Sequence, residues 1–197
     1  MCIRDRYNKL KRTYEAGVRL IKEIKDEIMY LESIINALDI ATTENDLNNI
    51  KEELIITGYI KKNSKSKSKD NKNNKPLHYI SSDGFDMYVG KNNLQNDELT
   101  FKFASNSDWW FHAKQMPGSH VIVKTNGKEL PDRTFEEAAA LAAYYSKGRD
   151  LDKVEVDYVL KKEVKKPAAA KPGFVVYYTN YSLIAIADIN GIKEVTG

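Results

Sequence analysis

The sequence has a single cysteine and no long apolar run. Cys2 stands alone among 197 residues, which excludes an internal disulfide framework and any zinc site that needs several cysteines. No stretch approaches the ~20 consecutive apolar residues of a membrane-spanning helix, and the N-terminus lacks the apolar core of a signal peptide. These absences predict a protein of the reducing cytoplasm.

The sequence also has little excess of charge of one sign. Its 31 basic and 28 acidic residues leave a formal net charge of +3, which does not by itself predict a nucleic-acid partner. Any such prediction must rest on how the basic residues cluster. A length of 197 residues with 42% hydrophobic side chains predicts one or two domains, with a real core in part of the chain.

The N-terminal region has the pattern of a coiled coil. Residues 1–6 show no periodicity and look unrelated to the rest of the chain. After them, apolar side chains and one glycine recur at alternating spacings of three and four, at Tyr7, Leu10, Tyr14, Gly17, Ile21, Ile24, Ile28, Leu31, Ile35 and Leu38. A heptad seam of this kind, with charged residues on the other faces, predicts a coiled-coil helix.

A second helix is predicted at 44–59, and residues 1–60 are interpreted as the C-terminal part of a coiled-coil hairpin. The second helix is about half as long as the first and cannot cover its seam. Either a preceding helix of a longer protein completes an antiparallel hairpin, or two copies of the chain pair through the seam. Packing of the long helix on its own domain is disfavoured, because residues 61–76 are almost entirely Lys, Asn and Ser and predict a flexible linker. A basic arm that contacts RNA is the alternative for that linker.

Residues 77–197 change to short runs of β-prone residues and predict a separate domain. Strands are predicted at 78–81, 85–89, 99–104, 109–113, 120–124, 153–160, 174–179 and 183–188. One alanine-rich helix interrupts them, with Thr134 and Glu137 as its capping box and Gly148 after its end. The fold class is therefore α+β, a mostly antiparallel sheet with one principal helix, preceded by a helical coiled-coil stalk.

The stretch 108–120 concentrates the side chains from which a site could be built. It holds both tryptophans and two of the three histidines. A Pro-Gly pair predicts a type II turn with Gly118 at positive φ. Strand alternation places Asp108, Trp110 and His112 on one face and the other two aromatic residues of the strand on the opposite face.

This face allows several interpretations. A hydrogen bond between Asp108 and His112 that fixes the turn and a contact with nucleic acid are equally supported. A metal site would need His112, His120 and a carboxylate to converge, and acid–base catalysis would need an oriented His–Asp pair, so both are disfavoured. Ser119 lacks the G-x-S-x-G elbow of a serine nucleophile. No catalytic residue, metal or cofactor is predicted.

Basic residues cluster in two places. Lys91 lies among Gly90, Asn92 and Asn93, where exposed backbone amides and one positive charge suit a phosphate; a type I′ turn is the alternative. The second cluster has five lysines and one acid within eleven residues that two prolines stiffen: Lys161, Lys162, Lys165, Lys166 and Lys171. Six nearby tyrosines could stack on unpaired bases, although most are expected to line the sheet: Tyr144, Tyr145, Tyr158, Tyr177, Tyr178 and Tyr181.

The order of these motifs resembles the NFACT-R domain, formerly a domain of unknown function in fibronectin-binding-protein-A-like proteins. The matching motifs are GKNN at 90–93, QND at 95–97, LTFK at 99–102, D-x-W-x-H at 108–112, PGSH at 117–120, EAA at 137–139, LAAYYS at 141–146, VDY at 156–158, VKKP at 164–167 and KPG at 171–173. The resemblance spans roughly 77–187, over half of the chain. One departure is that Ala168 and Ala169 stand where the family usually has a glycine.

The resemblance implies a part of a ribosome-associated quality control factor. Such factors bind large ribosomal subunits obstructed by peptidyl-tRNA, recruit tRNA and, in bacteria, support alanine tailing of the stalled nascent chain. They carry a coiled-coil hairpin before the NFACT-R domain, which favours an upstream helix of the same protein as the partner of the seam. Because the family's N-terminal domain is not found here, this fragment is expected to bind ribosome or tRNA without completing the tailing cycle, and not to be an enzyme.

The hypothesis for the site is an RNA-binding surface formed by the lysine cluster together with Lys91, His112 and Lys114. The full set of predicted RNA-binding residues is Lys91, Asn92, Asn93, Asn96, Asp108, Trp110, His112, Lys114, Ser119, His120, Lys161, Lys162, Lys165, Lys166 and Lys171. Two other function classes remain open: a fibronectin-binding surface adhesin, and a metal-dependent enzyme that uses His112 and His120.

Overall fold

The computed structural model describes residues 2–62 and 75–195. Most of the predicted linker at 61–76 therefore lies outside the described residues, as does its alternative interpretation as an RNA-contacting arm. Within the described chain, no helix has both the length and the apolar character needed to cross a membrane.

Two helices form the N-terminal region, α1 (Ile3–Ile40) and α2 (Glu44–Ile56). Because α1 begins at Ile3, most of the aperiodic N-terminal stretch is nevertheless helical. Helix α2 begins with a capping box that the sequence analysis missed: the Asp46 amide donates to Thr43 Oγ1 at 3.2 Å, and the Thr43 amide donates to Asp46 Oδ2 at 3.1 Å. The helices pack through a small apolar cluster of Tyr30, Ile34, Ala37 and Ile50.

The heptad seam of α1 is exposed over most of its length. Six of its N-terminal members are between 49% and 72% exposed: Tyr7, Leu10, Tyr14, Ile21, Ile24 and Ile28. Helix α2 has 13 residues against 38 in α1 and packs on Tyr30, Ile34 and Ala37. It therefore leaves the seam uncovered, and the last seam residues Leu31, Ile35 and Leu38 are exposed as well. Which chain supplies the partner helix stays a prediction.

The second part of the chain is a seven-stranded antiparallel sheet with the strand order β6-β5-β3-β4-β2-β1-β7. Its strands are β1 (Leu77–Ile80), β2 (Asp86–Val89), β3 (Trp109–Ala113), β4 (Val121–Val123), β5 (Val154–Leu160), β6 (Tyr181–Ala185) and β7 (Lys193–Glu194). The principal helix, α4 (Asp132–Tyr144), packs on one face. This arrangement confirms the predicted α+β class.

The alternation of β3 sends its aromatic side chains to opposite faces, as predicted. Trp109 and Phe111 pack in the core between the sheet and α4, while Trp110 packs in a second core on the other face. The α4 alanines that lie fully buried in the first core are Ala138, Ala139, Ala142 and Ala143. Their small side chains let the helix lie close to the sheet. Helix α3 (Asn93–Glu98) and the π-helical turn Leu99–Phe103 follow β2, and this turn packs on the second core.

The predicted strand at 99–104 is wrong. Helix α3 runs directly into the π-helical turn there, and the adjacent residues Leu99 and Thr100 are both buried. Two consecutive buried side chains are the pattern of a packed helical turn rather than of a strand with one buried face. Apolar alternation alone could not distinguish the two.

The predicted strand at 174–179 is also wrong. This segment packs Val175 and Tyr177 against the second core, and its one bridge joins Val176 to Lys165. The segment therefore covers the sheet instead of extending it. The last long strand is β6, which begins and ends earlier than the predicted 183–188, and the short β7 was not predicted.

The capping box predicted for α4 is wrong as well. The N-cap is Pro131, and Thr134 lies inside the first turn. Its hydroxyl donates to Asp83 Oδ2 at 2.8 Å, and the Glu137 carboxylate accepts from the Ser82 amide at 2.8 Å. Both side chains tie the helix to the turn between β1 and β2, because tertiary partners outcompete local capping.

The turn after β3 differs from the predicted type II turn. Positive φ occurs at Gln115, with φ 54°, and not at Gly118. Gly118 instead forms a bridge with Ser146, where an added Cβ would lie 3.0 Å from the Ser146 Cβ. Glycine is needed at this position for close approach to the end of α4, not for backbone conformation.

Candidate nucleic-acid interface

The GKNN motif begins helix α3 rather than forming a free phosphate loop or a type I′ turn. The Asn92 side chain is the N-cap and accepts from the Gln95 amide at 2.9 Å, and Gln95 Oε1 accepts from the Lys91 amide at 2.9 Å. These amides are therefore satisfied within the protein. Helix α3 then carries Asn93 of this motif, and Asn96 beyond it, into the interior.

Asn96 joins α3 to the segment that precedes β4. Its Oδ1 accepts from the His120 amide at 3.0 Å, and its Nδ2 donates to the Gly118 carbonyl at 3.4 Å. A Cβ at Gly90 would lie 2.2 Å from Asn96 Oδ1. The glycine that opens the motif thus makes room for this buried amide.

Asn93 joins α3 to the helical region. Its Nδ2 donates to Glu53 Oε1 and to Ser33 Oγ, both at 2.8 Å, and the Tyr30 hydroxyl donates to the same Glu53 oxygen at 2.9 Å. Glu53 is 0% exposed, and its Oε2 has no hydrogen-bond partner among the described residues. Burial raises the pKa of the Glu53 carboxyl, and the bonds from Asn93 and Tyr30 only partly offset that effect.

Lys91 also serves this junction. Its Nζ donates to Asp46 Oδ1 at 3.0 Å, at the start of α2. Burial disfavours the Asp46 anion, but hydrogen bonds from Lys91 and Thr43 outweigh it and lower the pKa of this carboxyl. The predicted phosphate-binding lysine is thus held by a buried carboxylate of its own chain.

The predicted hydrogen bond between Asp108 and His112 is absent from the described residues. Asp108 is 1% exposed and accepts instead from the Ser105 amide at 2.7 Å, the Thr125 amide at 3.1 Å and Lys124 Nζ at 2.5 Å. This carboxylate fixes the loops at the start of β3.

The two histidines form a packed aromatic cluster with Trp110. His112 stacks on the indole with ring centroids 5.5 Å apart, and His120 meets it edge-on at 5.0 Å. His120 Nδ1 lies 2.8 Å from Thr100 Oγ1. Burial lowers the pKa of His112 to about 4 and that of His120 well below its usual value. Both imidazoles are therefore neutral at pH 7 and offer no positive charge to a polyanion, contrary to the sequence hypothesis.

Several predicted RNA-binding side chains are buried and require correction. Those with under a tenth of their surface exposed are Asn92, Asn93, Asn96, Asp108, Trp110, Ser119 and His120. Direct contact with RNA is not available to them in this conformation, since each is covered by the protein. The motif spacing identified residues that build the domain rather than residues that face a ligand. In the described residues, no three His, Cys, Asp or Glu side chains form a group suited to a metal ion.

The predicted lysines divide into two groups. Besides Lys91, the lysines that pair with carboxylates do so as follows: Lys114 with Glu155, Lys166 with Asp97, and Lys171 with Glu27. The Lys171 ammonium also lies 4.4 Å from the Tyr30 ring centroid and 2.9 Å from the Tyr59 hydroxyl. Among the described residues, Lys161, Lys162 and Lys165 have no carboxylate partner.

These lysines do not form one surface with Lys114, as the sequence hypothesis required. The Lys161 amide donates to the Asp108 carbonyl just before β3, whereas Lys114 follows the other end of the same strand. A five-residue strand separates the two ends by about 17 Å. The candidate interface is therefore the segment 161–165, which we call the lysine ridge.

The two alanines that stand where the family usually has a glycine are Ala168 and Ala169, and the second of them has an unusual backbone conformation. Ala169 has φ 59°, in the left-handed region where a side chain costs about 1–2 kcal/mol. The loop geometry that a glycine would favour is thus kept, under strain.

Ala169→Gly is expected to raise the free energy of unfolding by about 0.5–1 kcal/mol, because relief of the strained φ exceeds the added entropy of the unfolded chain. The measurement is urea unfolding at pH 7. The matched control is Ala168→Gly, which relieves no positive φ and should be neutral or destabilising. Equal effects of the two substitutions would contradict the strain.

Glu53→Gln is expected to remove a pH dependence of stability. The raised pKa means that the folded protein keeps the Glu53 proton after the unfolded chain has lost it, so wild-type stability falls as pH rises above about 4.5. Gln retains the acceptor for Asn93 and Tyr30, so the variant should gain stability relative to wild type as pH rises. The measurement is the difference in unfolding free energy between the two proteins from pH 4 to 8. A constant difference would show that the pKa of Glu53 is the same in the folded and the unfolded protein.

Comparison with known families and structures agrees with this architecture. A family model described as "NFACT protein RNA binding domain" matches residues 75–179, and one described as "NFACT N-terminal and middle domains" matches residues 5–73. The Rqc2 homolog RqcH of Streptococcus pneumoniae (serotype 2, strain D39) is 46% identical over 190 residues, which are 96% of this chain and 34% of that protein. RqcH of Bacillus subtilis (strain 168) is 37% identical over 189 residues, 95% of this chain and 33% of that protein.

A solved structure has the same fold. The C-terminal part of the fibronectin/fibrinogen-binding protein from Streptococcus suis superposes with a TM-score of 0.84 and 43% identity, covering 93% of this chain and 73% of that one. The chain spans about a third of the length of the curated relatives. On these matches, the chain belongs to the NFACT protein family and contains the region matched by the family's RNA binding domain.

Proposed function

We propose that this chain is the RNA-binding module of a ribosome-associated quality control factor. The observation that supports it best is the lysine ridge, where Lys161, Lys162 and Lys165 form no ion pair with a described carboxylate and outnumber the one acid of the segment, Glu163. The similarity to RqcH proteins and to the NFACT RNA binding domain supplies the context. Unpaired lysines beside one another bind phosphates mainly as point charges.

The lysine ridge is held on a rigid support. A 3-10 turn, Lys161–Glu163, directly continues β5, and Val164 is buried in the second core. Lys165 exchanges two backbone hydrogen bonds of 2.9 Å with Val176. These contacts fix the backbone, so less conformational entropy is lost when RNA binds.

The finer parts of the proposal concern the whole protein. They are binding to large subunits obstructed by peptidyl-tRNA, recruitment of tRNA and support of alanine tailing, all in the cytoplasm. In this proposal the chain breaks no bond and uses no metal or cofactor. An upstream helix of the same protein covers the exposed seam of α1. The RNA contact of this region is the lysine ridge.

The adhesin alternative has one observation in its favour, the name of the Streptococcus suis protein with the same fold. The metal-dependent enzyme alternative has none, because His112 and His120 pack against Trp110 and no three His, Cys, Asp or Glu side chains among the described residues form a group suited to a metal ion. Binding of RNA and of fibronectin fragments, each measured with the same purified chain, distinguishes the adhesin function from the RNA-binding function. Saturable binding of fibronectin, with no binding of RNA, would refute the proposal.

Replacement of Lys162 and Lys165 by glutamate is expected to weaken RNA binding at low salt and to flatten its salt dependence. Loss of two phosphate contacts should reduce the slope of log K against log salt by about 1.5. The measurement is fluorescence anisotropy with a labelled RNA between 50 and 300 mM KCl. The control carries the same change of charge at Lys153 and Lys193, which lie away from the ridge, and should keep the wild-type slope. An unchanged slope in the ridge variant would refute the assignment.

Ribosome binding is tested with the full-length protein that contains this chain. The protein should cosediment with large subunits in a sucrose gradient, and the Lys162 and Lys165 variant should do so less at the same salt concentration. Sedimentation of wild type and variant that is equal at every salt concentration would show that the ridge does not contact the ribosome.

A further inference from the structure

The six tyrosines that the sequence hypothesis grouped with the lysine cluster divide into packed and exposed rings. Tyr144, Tyr145, Tyr158 and Tyr177 are partly buried and make ring contacts within the domain. Tyr178 is 85% exposed and Tyr181 is 61% exposed. Tyr181 stacks on Tyr158 at 5.5 Å and lies 6.5 Å from Trp109, on the face of the sheet that α4 covers. Tyr178, in contrast, makes no ring contact within residues 2–62 and 75–195.

The turn that carries Tyr178 is pinned by a buried carboxylate. Asp157 is 3% exposed, and it accepts from the Tyr177 hydroxyl at 2.8 Å, from Asn180 Nδ2 at 2.9 Å and from Ser182 Oγ at 2.5 Å. The donors lie on both sides of Tyr178. The backbone around this ring is thus held in place although the ring itself faces solvent.

The same turn lies beside the lysine ridge. Lys165 bridges to Val176, and Tyr158 pairs with Tyr181 in the β5–β6 ladder. The chain between Tyr158 and Lys165 therefore runs antiparallel to the chain between Val176 and Tyr181. Tyr178 follows Val176, the bridge partner of Lys165, by two residues, so its backbone lies close to the C-terminal end of the ridge.

We propose that this turn is a stacking site for the unpaired bases of single-stranded RNA, a ligand class that nothing in the family match specifies. Tyr178 stacks on a base, and the lysines of the ridge contact the phosphates that flank it. Base stacking on a fixed aromatic ring combined with lysines along the backbone is how proteins bind single strands without reading sequence. This inference rests on the proposed RNA-binding function and narrows its ligand.

A single strand fits these observations better than a duplex. Bases in an A-form duplex are stacked on each other, and a protein meets mainly their sugars and phosphates. A ring that is 85% exposed adds nothing to such a contact, whereas a splayed base covers its whole face. The charge beside the turn favours a polyanion over an uncharged protein segment.

The test uses the whole chain with two labelled RNAs of equal length, a 12-nucleotide oligouridine and a 12-base-pair duplex. Tyr178→Ala should weaken binding of oligouridine roughly tenfold and leave duplex binding unchanged, because it removes one stacked base. Tyr178→Phe keeps the ring and should bind oligouridine like wild type. The matched control is Tyr14→Ala, since Tyr14 is 72% exposed on α1 and far from the ridge; it should have no effect.

The outcomes separate this inference from the proposed function. If the lysine variant weakens RNA binding and Tyr178→Ala does not, the stacking site is wrong and the RNA-binding module stands. Equal losses for oligouridine and duplex would also overturn stacking, because a ring that touches only the backbone cannot tell them apart. If wild type binds neither RNA, the proposed function fails with it. Melting temperatures of all variants equal to wild type exclude unfolding as the cause.

Discussion

The arrangement of this molecule depends on one buried hydrogen-bonding centre, the carboxyl group of Glu53 that accepts from Tyr30 and Asn93. These three residues come from α2, α1 and α3, so one centre joins the helical region to the sheet domain. A buried polar group that loses its partner costs about 1–3 kcal/mol, more than the bond contributes when it is made. Any other packing of the sheet on the helices would leave these groups unpaired. The centre therefore specifies a single orientation more than it adds stability.

Short helix α3 transmits this constraint to the rest of the domain. Asn93 points to the helical region, and Asn96 points to the residues before β4. Gly90 and Gly173 have no side chain because a Cβ at either position would lie 2.2 Å or 2.4 Å from an oxygen of these asparagines. The glycines and asparagines that mark the family are thus parts of one packing arrangement. Their regular spacing is typical of a functional motif, yet their immediate role is architectural.

The lysines of this chain have different roles, which depend on whether a carboxylate of the same chain lies within reach. Lys91 and Lys171 cross-link the sheet domain to the helices through Asp46 and Glu27. The lysine ridge has no such partner in the described residues, and its charge faces solvent. The turn held by Asp157 carries the exposed ring of Tyr178 close to that charge. A site whose backbone is already fixed loses little conformational entropy when its lysines and aromatic ring bind a flexible polyanion.

The amino-acid sequence by itself determined the fold class, the long helix with its exposed seam, most of the strands and the two faces of β3, because periodicity records which side of each element is buried. It did not determine whether 99–104 and 174–179 are strands, since apolar spacing is similar in a packed turn. Nor did it determine which of the predicted RNA-binding residues face solvent. Asn93, His120 and Lys171 have the chemistry of a binding site, and only the tertiary structure shows that their hydrogen bonds and charges are already used within the protein. Solvent exposure depends on contacts between residues far apart in the chain, so local sequence cannot reveal it.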